Sequence, residues 1–292
     1  MDRPFVSVVI PHRDDNERLD RCLHALSRQT LSEPFEVLVV DDGSSHPPSA
    51  VVDAHPRARL LLSHGAGPYS ARNIGVSQAH GEILAFTDSD CVPAADWLEH
   101  GTRVLRAAGP RAFIGGRIEV FPRDRRRPTA VEAFELVAAF PQAHYVRNRA
   151  YAVTANLLAP ADVFNEVGPF LERLFSSGDR EWGERAALRG IRAVYAPDAL
   201  VHHPARYSVA ELRQKIRRVE MGFAQLREER HQRFTVRDAL WSMRPPLGST
   251  ARGLRELPRS GLRSAASYIG VAFLARYLHA YERLRMRSSS RG

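Results

Sequence analysis

From Phe5 to Phe121 short β-branched runs alternate with longer stretches whose apolar residues recur every three or four positions, as in a sheet with crossover helices. The runs predict strands at Val6 to Ile10, Phe35 to Val40, Arg59 to Leu62, Glu82 to Thr87 and Ala112 to Glu119. Between them Leu19, Leu23 and Leu26 give Asn16 to Ser27 a helical face, and Tyr69 to Ala79 and Asp96 to Ala108 read the same way. The class is α/β, with a Rossmann-like, parallel or mostly parallel sheet flanked by helices.

Beyond Phe121 a charged, proline-bounded connection, Pro122 to Pro128, leads to a helical segment from Thr129 to Phe140. Ala152 to His203 then predicts a strand at Ala152 to Leu157, two helices and a strand at Ile191 to Tyr195. After His203 the chain turns to arginine-rich helix, Ser208 to Arg233, a Pro245-Pro246 break and a final helical stretch to Met286. The expected division is a sheet domain at 1–205 and a helical, basic C-terminal extension at 206–292.

With 44% hydrophobic and 26% charged residues, the 292-residue chain has neither a disordered nor a fibrous composition. Its 42 basic against 33 acidic residues give a net charge of +9, mostly from the C-terminal third, which calls for an anionic partner. The basic residues show no aromatic stacking pattern and no nucleic-acid motif, so nucleic acid is not the expected partner. A basic helical tail leans towards a membrane surface or a partner protein, with a solvated helix face or an oligomer contact as the equal alternative. Cys22 and Cys91 are too few for a disulfide framework and predict a reducing, cytoplasmic setting. The run Phe5 to Ile10 stops at Pro11 without the form of a signal peptide. Ala265 to Leu278, broken by Arg276, falls short of the roughly 18 to 20 apolar residues a span requires. These readings together predict a cytoplasmic chain, with contact at the inner face of the membrane as one of the roles open to its tail.

Ligands bind such sheets outside the carboxyl ends of the strands, and three strands end in polar clusters: Pro11-His12-Arg13-Asp14, Asp41-Asp42-Gly43-Ser44 and Asp88-Ser89-Asp90. Asp41 is an acceptor-only group suited to the imide N–H of a uracil or thymine ring, although an Asp-Gly-Ser turn also serves purely structural ends. Asp88 and Asp90, two positions apart, can share a ligand set of hard oxygens, the chemistry of Mg2+ or Mn2+ bridging to substrate phosphates. Gly65 to Gly75 is a glycine-rich loop entering a helix, where free N–H groups and Arg72 can receive a diphosphate. It is neither a Rossmann nor a P-loop fingerprint, and Arg72 as a surface ion pair is the alternative.

Taken together, Val8-Val9-Ile10-Pro11, Gln29-Thr30, Val39-Val40-Asp41-Asp42-Gly43-Ser44, Ala71-Arg72-Asn73-Ile74-Gly75, Ala79-His80-Gly81-Glu82 and Asp88-Ser89-Asp90 resemble family 2 of the inverting glycosyltransferases, which have the GT-A fold. The resemblance covers about residues 5–205. It implies that Asp41 contacts the nucleotide base, with Pro11, Arg13, Asp42, Arg72 and Ser89 around the nucleotide. Asp88 would lie near ribose and metal, and Asp90 would bind a divalent ion, Mn2+ or Mg2+, on the diphosphate. His12-Arg13-Asp14-Asp15 departs from the family's usual residues after Pro11.

Farther on, Thr154-Ala155-Asn156-Leu157 looks like the acceptor-side strand and Phe164 to Phe170 like the turn before the catalytic helix. Where family members carry Glu-Asp this chain has Gly178-Asp179, which marks Asp179 as the general base, ahead of Glu181. His203, preferred over His202, would join the metal. The implied activity is transfer from a nucleoside-diphosphate sugar, UDP-sugar favoured, to a hydroxyl acceptor in cell-envelope polysaccharide or glycolipid synthesis. Rival readings are a sugar nucleotidyltransferase, which should carry a basic glycine-rich loop after the first strand, a non-catalytic nucleotide-sugar binder and a basic nucleic-acid binder.

Overall fold

The computed structural model describes residues 3–232, 235, 238, 243–256 and 262–289. The chain forms two compact units: Met1–Glu119, Phe140–Arg173 and Gly178–His203 make the first, and Val120–Ala139, Leu174–Ser177 and Pro204–Gly292 the second. The segment after Phe121 therefore folds with the C-terminal helices.

In the first unit β1 (Val6–His12), β2 (Phe35–Asp41), β3 (Ala58–Leu62) and β4 (Ile83–Phe86) are parallel and stand in the order β3-β2-β1-β4. β1 and β2 are nearly continuous apolar runs because both their faces are covered: Val6, Val8, Val9, Ile10, Leu38, Val39 and Val40 are fully buried. Beyond β4 the sheet becomes antiparallel, with β7 (Leu157–Pro160) between β4 and β6 (Ala112–Phe121). The long β8 (Arg192–Pro204) and the two-residue β5 (Val92–Pro93) complete the order. The sheet is thus mixed, its parallel half matching the strand–helix alternation of the sequence.

The connecting helices are α1 (Asn16–Ser27), α2 (Ser49–Asp53), α3 (Pro68–Ser77) and α4 (Trp97–Ala108). α1 begins where the Asp15 carboxylate accepts from Arg18 N–H, and it buries Leu19, Cys22, Leu23 and Leu26 against the sheet.

The strand expected at Ala152 to Leu157 is instead a 3-10 turn, Thr154–Asn156, running into β7. Polar packing decides this. The fully buried Asn156 accepts from Trp97 Nε1 at 2.8 Å and donates to the carbonyls of Arg117 at 2.8 Å and Ala199 at 2.9 Å. Gln142 accepts from Val153 N–H and donates to Asn156 O, both at 3.0 Å. Gln142 opens α6 (Gln142–Arg149), a helix with no apolar period to announce it. α7 (Ala161–Val167) and α8 (Gly178–Leu188) follow.

The second unit contains α5 (Ala130–Ala138), α9 (Val209–Glu229), α10 (Leu247–Glu256) and α11 (Leu262–Ser289). Val131, Leu212, Ile216, Val271 and Ala275 form its apolar core. Beside them Glu135 takes Arg206 at 2.9 Å and Lys215, the chain's only lysine, at 3.0 Å. Burial opposes the Glu135 charge, but Lys215 and Arg206 outweigh it and hold the carboxyl below its ordinary range. Burial pushes the Lys215 amine down to about 8. Glu135→Ala takes from Arg206 and Lys215 the buried carboxylate they share and is expected to cost about 3–5 kcal/mol in urea unfolding. Because the native carboxyl titrates low, its contribution is present above the unfolded value and is lost as pH falls through the native one. Among the described residues no helix is long and apolar enough to cross a membrane.

Candidate donor and metal site

Register brings the polar strand ends together. β1 and β2 pair from Val6↔Phe35 to His12↔Asp41, and β4 pairs Phe86 with Val9, so all three stop on one edge of the sheet. Pro11 sits half-buried opposite Val40, and the exposed Arg13 lies at the rim, 3.7 Å from Asp14. His12 turns inward, its Nε2 3.0 Å from Asn16 Oδ1.

The two carboxylates after β2 differ. Asp41 accepts from both the N–H and the hydroxyl of Ser44. Asp42 faces inward, accepting from Ser63 Oγ and from Gly67 N–H, each at 3.0 Å. It anchors the loop in which Gly65 and Gly67 hold φ of +74° and +104°, angles that glycine adopts without a Cβ clash. Arg72 is no surface residue: it is 4% exposed, pairs through Nη2 with Asp88, and donates to Pro68 O at 3.2 Å.

Past β4 the donor atoms of Asp88, Asp90, Cys91 and His203 all lie within 4.8 Å of one another. His203 Nε2 is 3.7 Å from Asp90, with its ring centroid 4.5 Å from that of Phe140. Strand alternation separates the two histidines: His203 is buried, whereas His202 turns to Glu119 at 3.9 Å. Ser89 lies within the Asp88–Asp90 turn. Cys91 was not anticipated as a neighbour; only its place beside Asp90 could have signalled it. Burial pushes its thiol well up, so it remains an S–H group 3.9 Å from Asp90 Oδ1. Two carboxylates and one imidazole form a donor set that fits Mn2+ or Mg2+.

Asp179 occupies the first turn of α8, where its carboxylate accepts from Arg180 N–H at 2.8 Å. Burial pushes this carboxyl above its ordinary range, against the pull of the Arg180 N–H and the Arg72 charge. Glu181 is committed elsewhere, to Arg185 at 2.7 and 3.0 Å, which in turn holds Pro169 O at 2.6 Å. Tyr69, which sequence reasoning passed over, places its hydroxyl 3.5 Å from Asp179 Oδ1.

The Glycosyl transferase family 2 model matches residues 7–171, which include Asp41, Asp88 and Asp90. The chain belongs to glycosyltransferase family 2. Glycosyltransferase AglE of Haloferax volcanii is 36% identical over 230 residues, 76% of this chain and 74% of that protein. The pre-mycofactocin glycosyltransferase of Mycobacterium tuberculosis is 30% identical over 209 residues, 69% of this chain, which spans only 43% of that relative. Among solved structures, the mannosyltransferase PcManGT from Pyrobaculum calidifontis, in complex with GDP-Man and Mn2+, has a TM-score of 0.66 over 99% of this chain and 88% of its own, at 18% identity. S. aureus TarS 1-349 in complex with UDP-GlcNAc gives 0.55 over 98% and 91%, at 16% identity. This family 2 member therefore has the GT-A fold, and its class of chemistry is glycosyl transfer.

Proposed function

We propose that this family 2 enzyme passes a sugar from a nucleoside-diphosphate sugar to an acceptor hydroxyl, with inversion and with a divalent metal. The observation that carries this reading is the gathering of Asp88, Asp90 and His203 at one spot, joined to Asp179 through Arg72 and Tyr69. On it, Asp41 accepts the base N–H, which favours a UDP-sugar, between Pro11 and Arg13. Asp42 holds the glycine loop, Arg72 holds Asp88, and Asp88 and Ser89 lie beside ribose and diphosphate. A divalent ion bound by Asp88, Asp90 and His203 would neutralise charge on the leaving diphosphate, with the imidazole tilting the choice towards Mn2+.

Asp179 takes the proton from the acceptor hydroxyl as that oxygen bonds to the anomeric carbon. The bond from that carbon to the diphosphate oxygen breaks, and the nucleoside diphosphate departs with its electron pair. A single displacement from the face opposite the leaving group inverts the centre. Tyr145 and Tyr151, stacked with centroids 4.8 Å apart and electrostatically coupled to Asp179, form the acceptor-side wall.

A panel of nucleotide sugars with Mn2+ or Mg2+, followed by nucleoside diphosphate release, tests the reading. Metal-dependent release from one donor, lost in Asp90→Ala and Asp179→Asn, is expected. Donor binding without turnover on any acceptor would convert the protein into a nucleotide-sugar binder.

The acceptor is proposed to be lipid-linked or membrane-proximal, met at the cytoplasmic face of the membrane. From Pro204 onward the chain carries 19 basic and 7 acidic residues, and α11 exposes Ile269, Leu274, Tyr277, Tyr281 and Leu284 on the face away from its core contacts. The protein is expected to float with vesicles containing anionic phosphatidylglycerol and not with neutral ones, and the Tyr277→Glu, Tyr281→Glu double variant to lose flotation. Equal flotation of that variant would discard the membrane contact.

A further inference from the structure

We infer that Tyr69 is the positioning residue for the catalytic base, holding the turn that carries Asp179 through a hydroxyl supplied from another helix. The first N–H groups of a helix have no partner inside it. At α8 this need is met by Tyr69, 109 positions away from Gly178: its oxygen accepts from Gly178 N–H at 2.8 Å and from Asp179 N–H at 3.4 Å. With two N–H groups directed at the oxygen, the phenolic proton is left to face Asp179 Oδ1 at 3.5 Å. Burial raises the phenol well above its ordinary range, so that proton stays in place.

The ring is fixed as firmly as the hydroxyl. Tyr69 is 6% exposed and packs on Phe170 with centroids 5.6 Å apart. A Cβ at position 178 would meet two of its ring carbons at 2.8 Å, so the ring and a glycine there require each other. One turn along α3 lies Arg72, its guanidinium 5.6 Å from the same ring centroid and ion-paired with Asp88. A single turn of one helix therefore holds both the base and a carboxylate of the metal cluster, and the spacing between them follows from the helix.

The groups facing Asp179 are Tyr69 and Arg72 from α3, Asp88 after β4, Tyr145 from α6, Tyr151 beyond it, and the N–H groups of Thr154 and Arg180. Arg72 and the two N–H groups favour the anion and Asp88 opposes it. The Tyr69 proton adds to the favourable side, and it is the member a single-atom change removes.

This inference rests on Asp179 as the base, and the two can fail separately. The test compares Tyr69→Phe with the unaltered protein in two readouts: 13C NMR titration of the Asp179 carboxyl, assigned by its absence in Asp179→Asn, and the pH profile of kcat/KM. In Tyr69→Phe the Asp179 pKa and the acid limb are expected to rise together, with kcat falling about tenfold and donor KM changing less than about twofold. Unchanged titration and unchanged kcat would overturn the role of Tyr69. Activity retained in Asp179→Asn would overturn the base assignment alone, since the titration still reports on Tyr69. Gly178→Ala, which drives a methyl group into the ring while keeping the hydroxyl, supplies the same comparison should Tyr69→Phe not fold; no shift in it counts against the inference.

Discussion

Asp179→Asn is expected to lower kcat by about 10²–10⁴-fold, the usual worth of a positioned general base, while donor affinity stays within about twofold. Its stability should move the other way. Because burial raises the native carboxyl, the native state binds more protons than the unfolded chain between the ordinary value and the raised one. Stability contributed by this group falls as pH rises through that window, so at neutral pH the ionised Asp179 costs stability. Asparagine keeps the shape without the charge, and the variant should melt at the same temperature as the unaltered protein or higher at pH 7. The difference should disappear below the ordinary carboxyl range, where both forms are neutral. In the unaltered enzyme kcat/KM should fall as pH drops through the raised value. A variant that melts well below its parent at neutral pH would make Asp179 a structural residue.

The second large effect is expected at the proposed metal site. Asp90→Ala should reduce kcat/KM by about 10³-fold, because neutralising charge on a leaving diphosphate is worth several kcal/mol and each 1.4 kcal/mol is a factor of ten. Calorimetry should show Mn2+ binding lost in Asp90→Ala and weakened in His203→Ala. Mn2+ affinity undiminished in Asp90→Ala would move the ion away from this cluster.

Much of the fold was legible because its parallel half obeys simple periodicities. α1 falls at Asn16–Ser27 as predicted, since Leu19, Leu23 and Leu26 repeat at helical spacing under an Asp15 cap. The turn at Thr154–Asn156 was not legible, because it is held by amide side chains whose partners lie up to 59 positions away along the chain. The charged positions of the site were visible as strand-end clusters, but their division of labour was not. That Asp42 serves the loop, Arg72 is spent on Asp88 and Glu181 on Arg185 depends on side-chain direction, which no spacing encodes. The departure at Gly178 has its physical reason in Tyr69, a residue that offers no motif because its partners come from α8.

The amides of Gln142 and Asn156 have a consequence for how such an enzyme can change. Between them runs the segment that carries Tyr145 and Tyr151; Gln142 closes it by bonding Val153 and Asn156 at its far end, and Asn156 ties that end to the carbonyls of Arg117 and Ala199. Val146 is buried and Tyr151 lies against Gly183, so within residues 143–151 it is the exposed His144, Arg147, Asn148 and Arg149 that can change while Asp88, Asp90 and Asp179 keep their places. On the proposed reading, a new acceptor preference could be grafted or selected there without disturbing the donor chemistry, whereas Asn156→Asp would set a carboxylate oxygen against two carbonyls and undo the anchor itself.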